Sequence, residues 1–213
     1  MKKETVLGVD LGGTKILIGE LDQAGNILES KSFRSKVTSQ VEAVEQIKEG
    51  RVDSEKGIWH EIHPENAKEI PLAQEISQRF NLPVVINNDV SSASLAEMEL
   101  GIGKKTKDFI YLNIGTGIAG RIIAEGQLLK GGHSNAGEIG HSLVGINNHV
   151  RCVCGRIACV ETFASGLGMS NEVHRLKNKY PTQLEITDKH RVSGEEIIKA
   201  FQKNDPLAKE VVE

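Results

Sequence analysis

The chain has 213 residues, 22 of them glycine, and a formal net charge of -3, enough length for one large domain or two small ones with a real core. That charge provides no basic footprint and argues against nucleic acid or an anionic membrane as a partner. No apolar run approaches a membrane span, and Met-Lys-Lys-Glu leads straight into a short strand rather than a signal core, so a cytoplasmic protein is expected.

In chain order, residues 6–10 read as a buried strand, 11–14 as a tight turn and 15–20 as a returning strand. The glycines therefore sit in a hairpin rather than before a helix, which excludes a dinucleotide fingerprint or a P-loop. A helix is readable at 39–49, with Val41, Val44 and Ile47 on one face and Gly50 as its stop. Residues 82–86 read as a parallel-type strand ending in Asn87-Asn88-Asp89, and 91–98 as a helix starting beside it. Polar groups at the carboxyl end of such a strand mark a ligand position, with Asp89 as a general base. The plainer reading makes Asn88 or Asp89 the N-cap of that helix.

The first hairpin has a second copy at 109–123, where Asn113 falls at the place of Asp10 and Gly115-Thr116-Gly117 forms the turn. Two glycine-rich turns, 12–14 and 115–117, would offer backbone N–H groups to a polyphosphate, with Thr14 and Thr116 adding hydroxyls and Asp10 facing metal and phosphates. Either turn alone is equally well explained as an ordinary hairpin. Farther on, Ser193-Gly194-Glu195-Glu196 opens a helix and Asp205-Pro206 opens another, with proline in its first turn.

All three cysteines and one histidine fall in a single stretch, His141, Cys152, Cys154 and Cys159. Three thiolates and an imidazole make a closed tetrahedral zinc site, whereas three unrelated buried thiols are the bland alternative. An odd, clustered set of thiols fits a reducing compartment rather than a disulfide framework. His149, nearer the first cysteine, is an alternative fourth ligand.

Taken together, Asp10-Leu11-Gly12-Gly13-Thr14-Lys15, Asn88-Asp89, Gly115-Thr116-Gly117, Glu138-Ile139-Gly140-His141 and Cys152-Val153-Cys154-Gly155 through Cys159-Val160-Glu161 resemble the ROK family of sugar kinases and transcriptional repressors. The resemblance implies an α/β, actin-like (ribonuclease H-like) ATPase fold of two lobes, 1–107 and 108–213, the second incomplete. ATP and a sugar would meet in its cleft, with Mg²⁺ arriving on the nucleotide. It further implies Asp89 as the base, Asn88, Glu138, His141 and Glu161 as sugar contacts, and Asp10, Gly12, Gly13, Thr14, Lys15, Gly115, Thr116 and Gly117 at the nucleotide. By the same resemblance His141 and the three cysteines hold a structural Zn²⁺, and the assembly is a homo-oligomer.

The chain departs from the family pattern in four places. His141 to Cys152 is one residue longer than usual, and Ala158 stands where glycine is usual. An interior strand expected after residue 50 is missing, so rearranged pairing or a weakened first lobe is expected. The last helices and the glycine pair that holds adenosine are absent. The alternative to an active hexose kinase is then a catalytically inactive, zinc-binding remnant. A repressor is disfavoured because the first turn begins too near Met1 for a helix-turn-helix domain.

Overall fold

In the computed structural model, strand β1 (Val6–Leu11) pairs antiparallel with β2 (Lys15–Leu21), Leu11 opposite Ile16, and β3 (Ile27–Arg34) joins the far side of β2. The residues described are 4–11, 15–34, 50–61, 69–132, 135–145, 149–187 and 191–213. They fall into two compact units, Met1–Lys104 and Lys105–Glu213. The expected turn at 12–14 and the expected helix at 39–49 lie outside the described residues.

Within the first unit, β4 (Gly50–Asp53), β5 (Ile58–Glu61) and β6 (Glu69–Ile70) form a separate antiparallel sheet. Its first turn is set by Asp53, whose Oδ1 accepts from the N–H groups of Glu55 and Lys56, and by Gly57 at φ +68°. Helix α1 (Leu72–Phe80) ends at Asn81 in the left-handed region. Helix α2 (Asp89–Leu100) is capped by Asn88, whose side chain accepts from the N–H of Ser91 at 3.1 Å.

Two expectations for this unit need correction. The first strand is not buried: Val6, Leu7 and Val9 are exposed, because among the described residues β1 lies at the edge of a three-stranded sheet and pairs with β2 alone. Residues 83–88 form no strand, and Val85 is 91% exposed. Apolar, β-prone composition makes a strand only where a neighbour supplies N–H and C=O partners. Among the described residues none pairs with this segment.

The second unit repeats the hairpin. β7 (Phe109–Ile114) pairs with β8 (Ile118–Ala124), Ile114 opposite Ile118, and β9 (Gln127–Leu128) pairs with the end of β8. Glu125 and Gly126 both have positive φ, as a tight two-residue hairpin requires. Because β9 is short, the rest of that edge of β8 is covered by a loop, with the N–H of Gly120 donating to the carbonyl of Gly137 at 2.7 Å. A Cβ at Gly137, which sits at φ +90°, would collide with the Gly120 carbonyl, so this approach requires glycine.

Among the described residues of this unit four helices follow: α3 (Glu161–Ala164), α4 (Gly166–Leu176), α5 (Gly194–Gln202) and α6 (Pro206–Val212). Their starts are encoded locally. Ser193 and Glu196 form a reciprocal capping box, and Asp205 caps α6 with Pro206 in its first turn. Val173, Leu176, Val192, Ile197, Leu207 and Ala208 form one buried cluster. Each fully buried Val, Leu or Ile there contributes about 1.5–3 kcal/mol. Among the described residues no helix is long and apolar enough to cross a membrane.

Candidate functional site

The strongest site in the second unit is assembled by two tight turns. After β9 the chain makes a single 3₁₀ turn (Ile139–His141) that delivers His141. The segment from Arg151 to Ile157 then folds back on itself, with the N–H of Cys152 donating to the carbonyl of Arg156 and that of Gly155 to the carbonyl of Cys152. Gly155 takes φ +84°, which is why Cys-x-Cys is followed there by glycine. The donor atoms of His141, Cys152, Cys154 and Cys159 consequently lie within 4.8 Å of one another. His141 Nδ1 is 3.3 Å from Cys152 Sγ, and Cys154 Sγ is 3.5 Å from Cys159 Sγ.

A tetrahedral zinc site has edges of about 3.6–3.8 Å between such donors, so the residues fit that ion with little movement. His141, not His149, joins the cluster. Burial pushes the Cys152 thiol up to about 12 and also raises Cys159. At Cys154 burial acts in the same direction but is outweighed. Hydrogen bonds from the Arg156 side chain and backbone and from the other two thiols bring it down to about 6. Ala158, between the ligands, is held at φ +68°.

Strand β8 holds two carboxylates that come from other segments, Glu161 and Glu138. The N–H of Ile118 donates to Glu161 Oε2 at 2.9 Å. Gly140 packs so closely on the Ile118 carbonyl that a Cβ would collide with it. Arg121 is buried and places Nη2 3.3 Å from Glu138 Oε1, while its Nη1 donates to the carbonyl of Gly120 at 2.7 Å. One strand thus supports Glu138, Glu161 and the loop of His141. Neither Arg121 nor these long-range bonds was apparent in the sequence, where Arg121 reads as one charged residue in an apolar strand.

The turn 115–117 joins β7 to β8, as the hairpin reading required. Its Gly115 N–H is committed to the carbonyl of Gly117 at 2.9 Å, and the carbonyls of Gly115 and Thr116 accept from Gly166 and Leu167 at the start of α4. Beside it lies a cavity of ≈ 580 Å³ whose lining includes Thr116, Met169, Arg191, Glu195 and Ile198. Arg191 had drawn no notice in the sequence, and only the fold brings it to this turn. In the first unit, Asp10 and Lys15 are exposed on either side of the first turn, whose Gly12, Gly13 and Thr14 lie outside the described residues. Asn88 is the N-cap, as the plainer reading had it. Asp89 is exposed, its Oδ1 accepting from the Val90 N–H at 2.9 Å.

The chain is 28% identical to a glucokinase of Halalkalibacterium halodurans over its whole length and 73% of that protein. Among solved structures it is similar to a ROK family transcriptional regulator, a homologue of the E. coli MLC protein (26% identity, TM-score 0.79, 99% of this chain and 59% of that one). It is also similar to a ROK family glucokinase from Streptomyces griseus in complex with glucose and AMPPNP (28% identity, TM-score 0.72, 98% of this chain and 74% of that one). The fold is therefore α/β and of the actin-like ATPase type. A ROK family model matches residues 36–213, and the chain belongs to that family.

Proposed function

We propose that the chain is an ATP-dependent hexose kinase of the glucokinase or fructokinase type, with Asp89 as general base and Asn88, Glu138, His141 and Glu161 as contacts to the sugar. The observation that carries this reading is the support of Glu138, Glu161 and the loop of His141 by one strand, β8, beside a closed four-donor cluster, in a chain similar to a glucokinase. When bound, zinc supplies rigidity alone, since four protein donors leave it no open position. His141 turns Nδ1 toward Cys152, which leaves Nε2 for a sugar hydroxyl. The two carboxylates and the imidazole suit a hydroxyl-rich ring.

In the reaction, a sugar hydroxyl oxygen attacks the γ-phosphorus of ATP, its proton passes to Asp89 Oδ2, and ADP leaves. Asp89 is exposed and can return that proton to water. Positioning and electrostatics supply most of the acceleration, and Mg²⁺ arriving with the nucleotide would neutralise charge on the phosphates. Gly115 N–H is committed to Gly117 and Ile118 N–H to Glu161, so Thr116 and Gly117 are the turn's phosphate donors. The cavity beside them receives the rest of the nucleotide, and Asp10, Gly12, Gly13, Thr14 and Lys15 belong to the same reading as nucleotide contacts. A cytoplasmic homo-oligomer with reduced thiols and no nucleic-acid or membrane partner belongs to the same reading.

A second reading, a catalytically inactive zinc-binding remnant, is favoured by one observation: the segment leading into Asp89 joins no ladder among the described residues. A coupled ADP-release assay with ATP, Mg²⁺ and a hexose panel, with zinc measured on the same sample, separates the two. Sugar-dependent turnover that falls by about 10²–10⁴-fold in Asp89→Asn supports the kinase. Stoichiometric zinc with no turnover on any hexose supports the remnant.

A further inference from the structure

We propose that Arg121 is the positioning residue of Glu138: its guanidinium takes Oε1 of the carboxylate and leaves Oε2 aimed at a substrate hydroxyl. The inference rests on the reading of Glu138 as a sugar contact. Arg121 stands on a core strand between Gly120 and Ile122, two residues from Ile123, and is 5% exposed. A buried cation is costly unless it is paired and hydrogen-bonded. Its Nη1 is fixed on the carbonyl of Gly120 at 2.7 Å and lies 3.5 Å from that of Ala136, while Nη2 stands 3.3 Å from Glu138 Oε1. Those bonds fix the guanidinium on both sides of the loop that carries Glu138.

The two partners are unequal in exposure. The Arg121 side chain is 6% exposed and that of Glu138 is 42% exposed. A pair serving the core alone would cover both members, whereas here a buried, immobile cation orients a carboxylate that still faces solvent. The planar fork of arginine suits this role better than the single point charge of lysine.

The test is hexose binding and steady-state kinetics on the zinc-loaded full chain, with the sugar that the ADP-release panel selects. Arg121→Met keeps similar volume and removes a buried charge, so the core tolerates it. The expected result is a rise of about 10- to 100-fold in the KM and Kd for the sugar, with the KM for ATP and the zinc content unchanged. Arg121→Lys, which retains the charge, recovers part of that loss. Because both groups act through one carboxylate, adding Arg121→Met to Glu138→Gln changes the sugar Kd by less than about threefold further. Effects of the two variants that multiply independently would overturn the proposal, as would an unchanged sugar KM or parallel losses for sugar and ATP. A wild-type chain that binds no hexose removes the reading of the site and this proposal with it. A normal Arg121→Met beside a binding wild type removes the proposal alone.

Discussion

Gly117→Ala probes whether Glu161 is held where the sugar reading needs it. The N–H of Ile118 donates to Glu161 Oε2 at 2.9 Å, and a Cβ at Gly117 would fall well inside 3.0 Å of that oxygen and 3.2 Å from Cδ. To regain an ordinary contact the carboxylate must retreat by about 1 Å, which carries the hydrogen bond past roughly 3.5 Å, where it ceases to count as one. A carboxylate-to-amide bond contributes about 1.5–3 kcal/mol, and Ile118 is buried, so its N–H finds no easy replacement. At about 2–4 °C per kcal/mol for a chain of this size, the thermal midpoint of the zinc-loaded protein should fall by roughly 3–12 °C. The KM for the hexose should rise about tenfold or more, since about 1.4 kcal/mol of lost binding is a factor of ten. Gly115→Ala is the steric control for stability: a Cβ there meets nothing within 4 Å, and its midpoint should move by no more than about 1–2 °C. Equal midpoints for the two alanine variants would refute the argument, because they would show that Glu161 swings aside at no cost.

Zinc titration of the apo protein at pH 8 should release about two protons, one each from Cys152 and Cys159, because Cys154, near 6, is already a thiolate; calorimetry in buffers of different ionisation enthalpy counts them, and three would contradict the assignment. Stripping the metal with a chelator should raise the hexose KM about 10- to 100-fold, by freeing His141 and the loop of Glu138, with zinc content and kinetics read on one sample. Ala158→Gly should stabilise: removing a side chain at φ +68° recovers about 1–2 kcal/mol, against roughly 0.4–1 kcal/mol of added unfolded-state entropy. The net gain of about 0.5–1 kcal/mol should appear in the denaturant midpoint, and a loss there would show that the alanine methyl packs usefully. Burial raises Asp205, but the N–H groups of Gln183 and Ala208 and the Thr182 hydroxyl outweigh it and hold the carboxyl below its usual range. Its contribution is therefore present above about pH 4 and lost as pH falls through the lower folded value. Asp205→Ala should cost about 2–4 kcal/mol at pH 7 and flatten the acid limb of the stability profile.

What the sequence made legible was local. Both hairpins announced themselves through apolar runs around glycine turns, and α5 and α6 through Ser193-x-x-Glu196 and Asp205-Pro206. The four donors of the metal cluster were legible because they sit within 19 residues and two turns set their approach. Failures came where the outcome depends on a partner distant in sequence. Residues 82–86 have the composition of a strand, but composition cannot supply a neighbouring ladder. The exposure of β1 has the same cause, an edge with no further strand beside it among the described residues. Arg121 with Glu138, Glu161 with Ile118, and Arg191 beside Thr116 are pairings that only the folded chain brings together.

The support of the carboxylates by β8 also limits how this gene can change. Side chains alternate along a strand, so inserting or deleting one residue in the turn 115–117 and slipping β8 by one would turn Arg121 to the opposite face. The same slip would move the Ile118 N–H off Glu161 and the Gly120 N–H off Gly137. The cysteines would remain in place and the metal loop could still close. Length variation at that single turn would therefore silence the sugar pocket in one mutational step while leaving the motif around Cys152 intact, so an unbroken cysteine motif in a descendant chain is no guarantee of a working carboxylate pair.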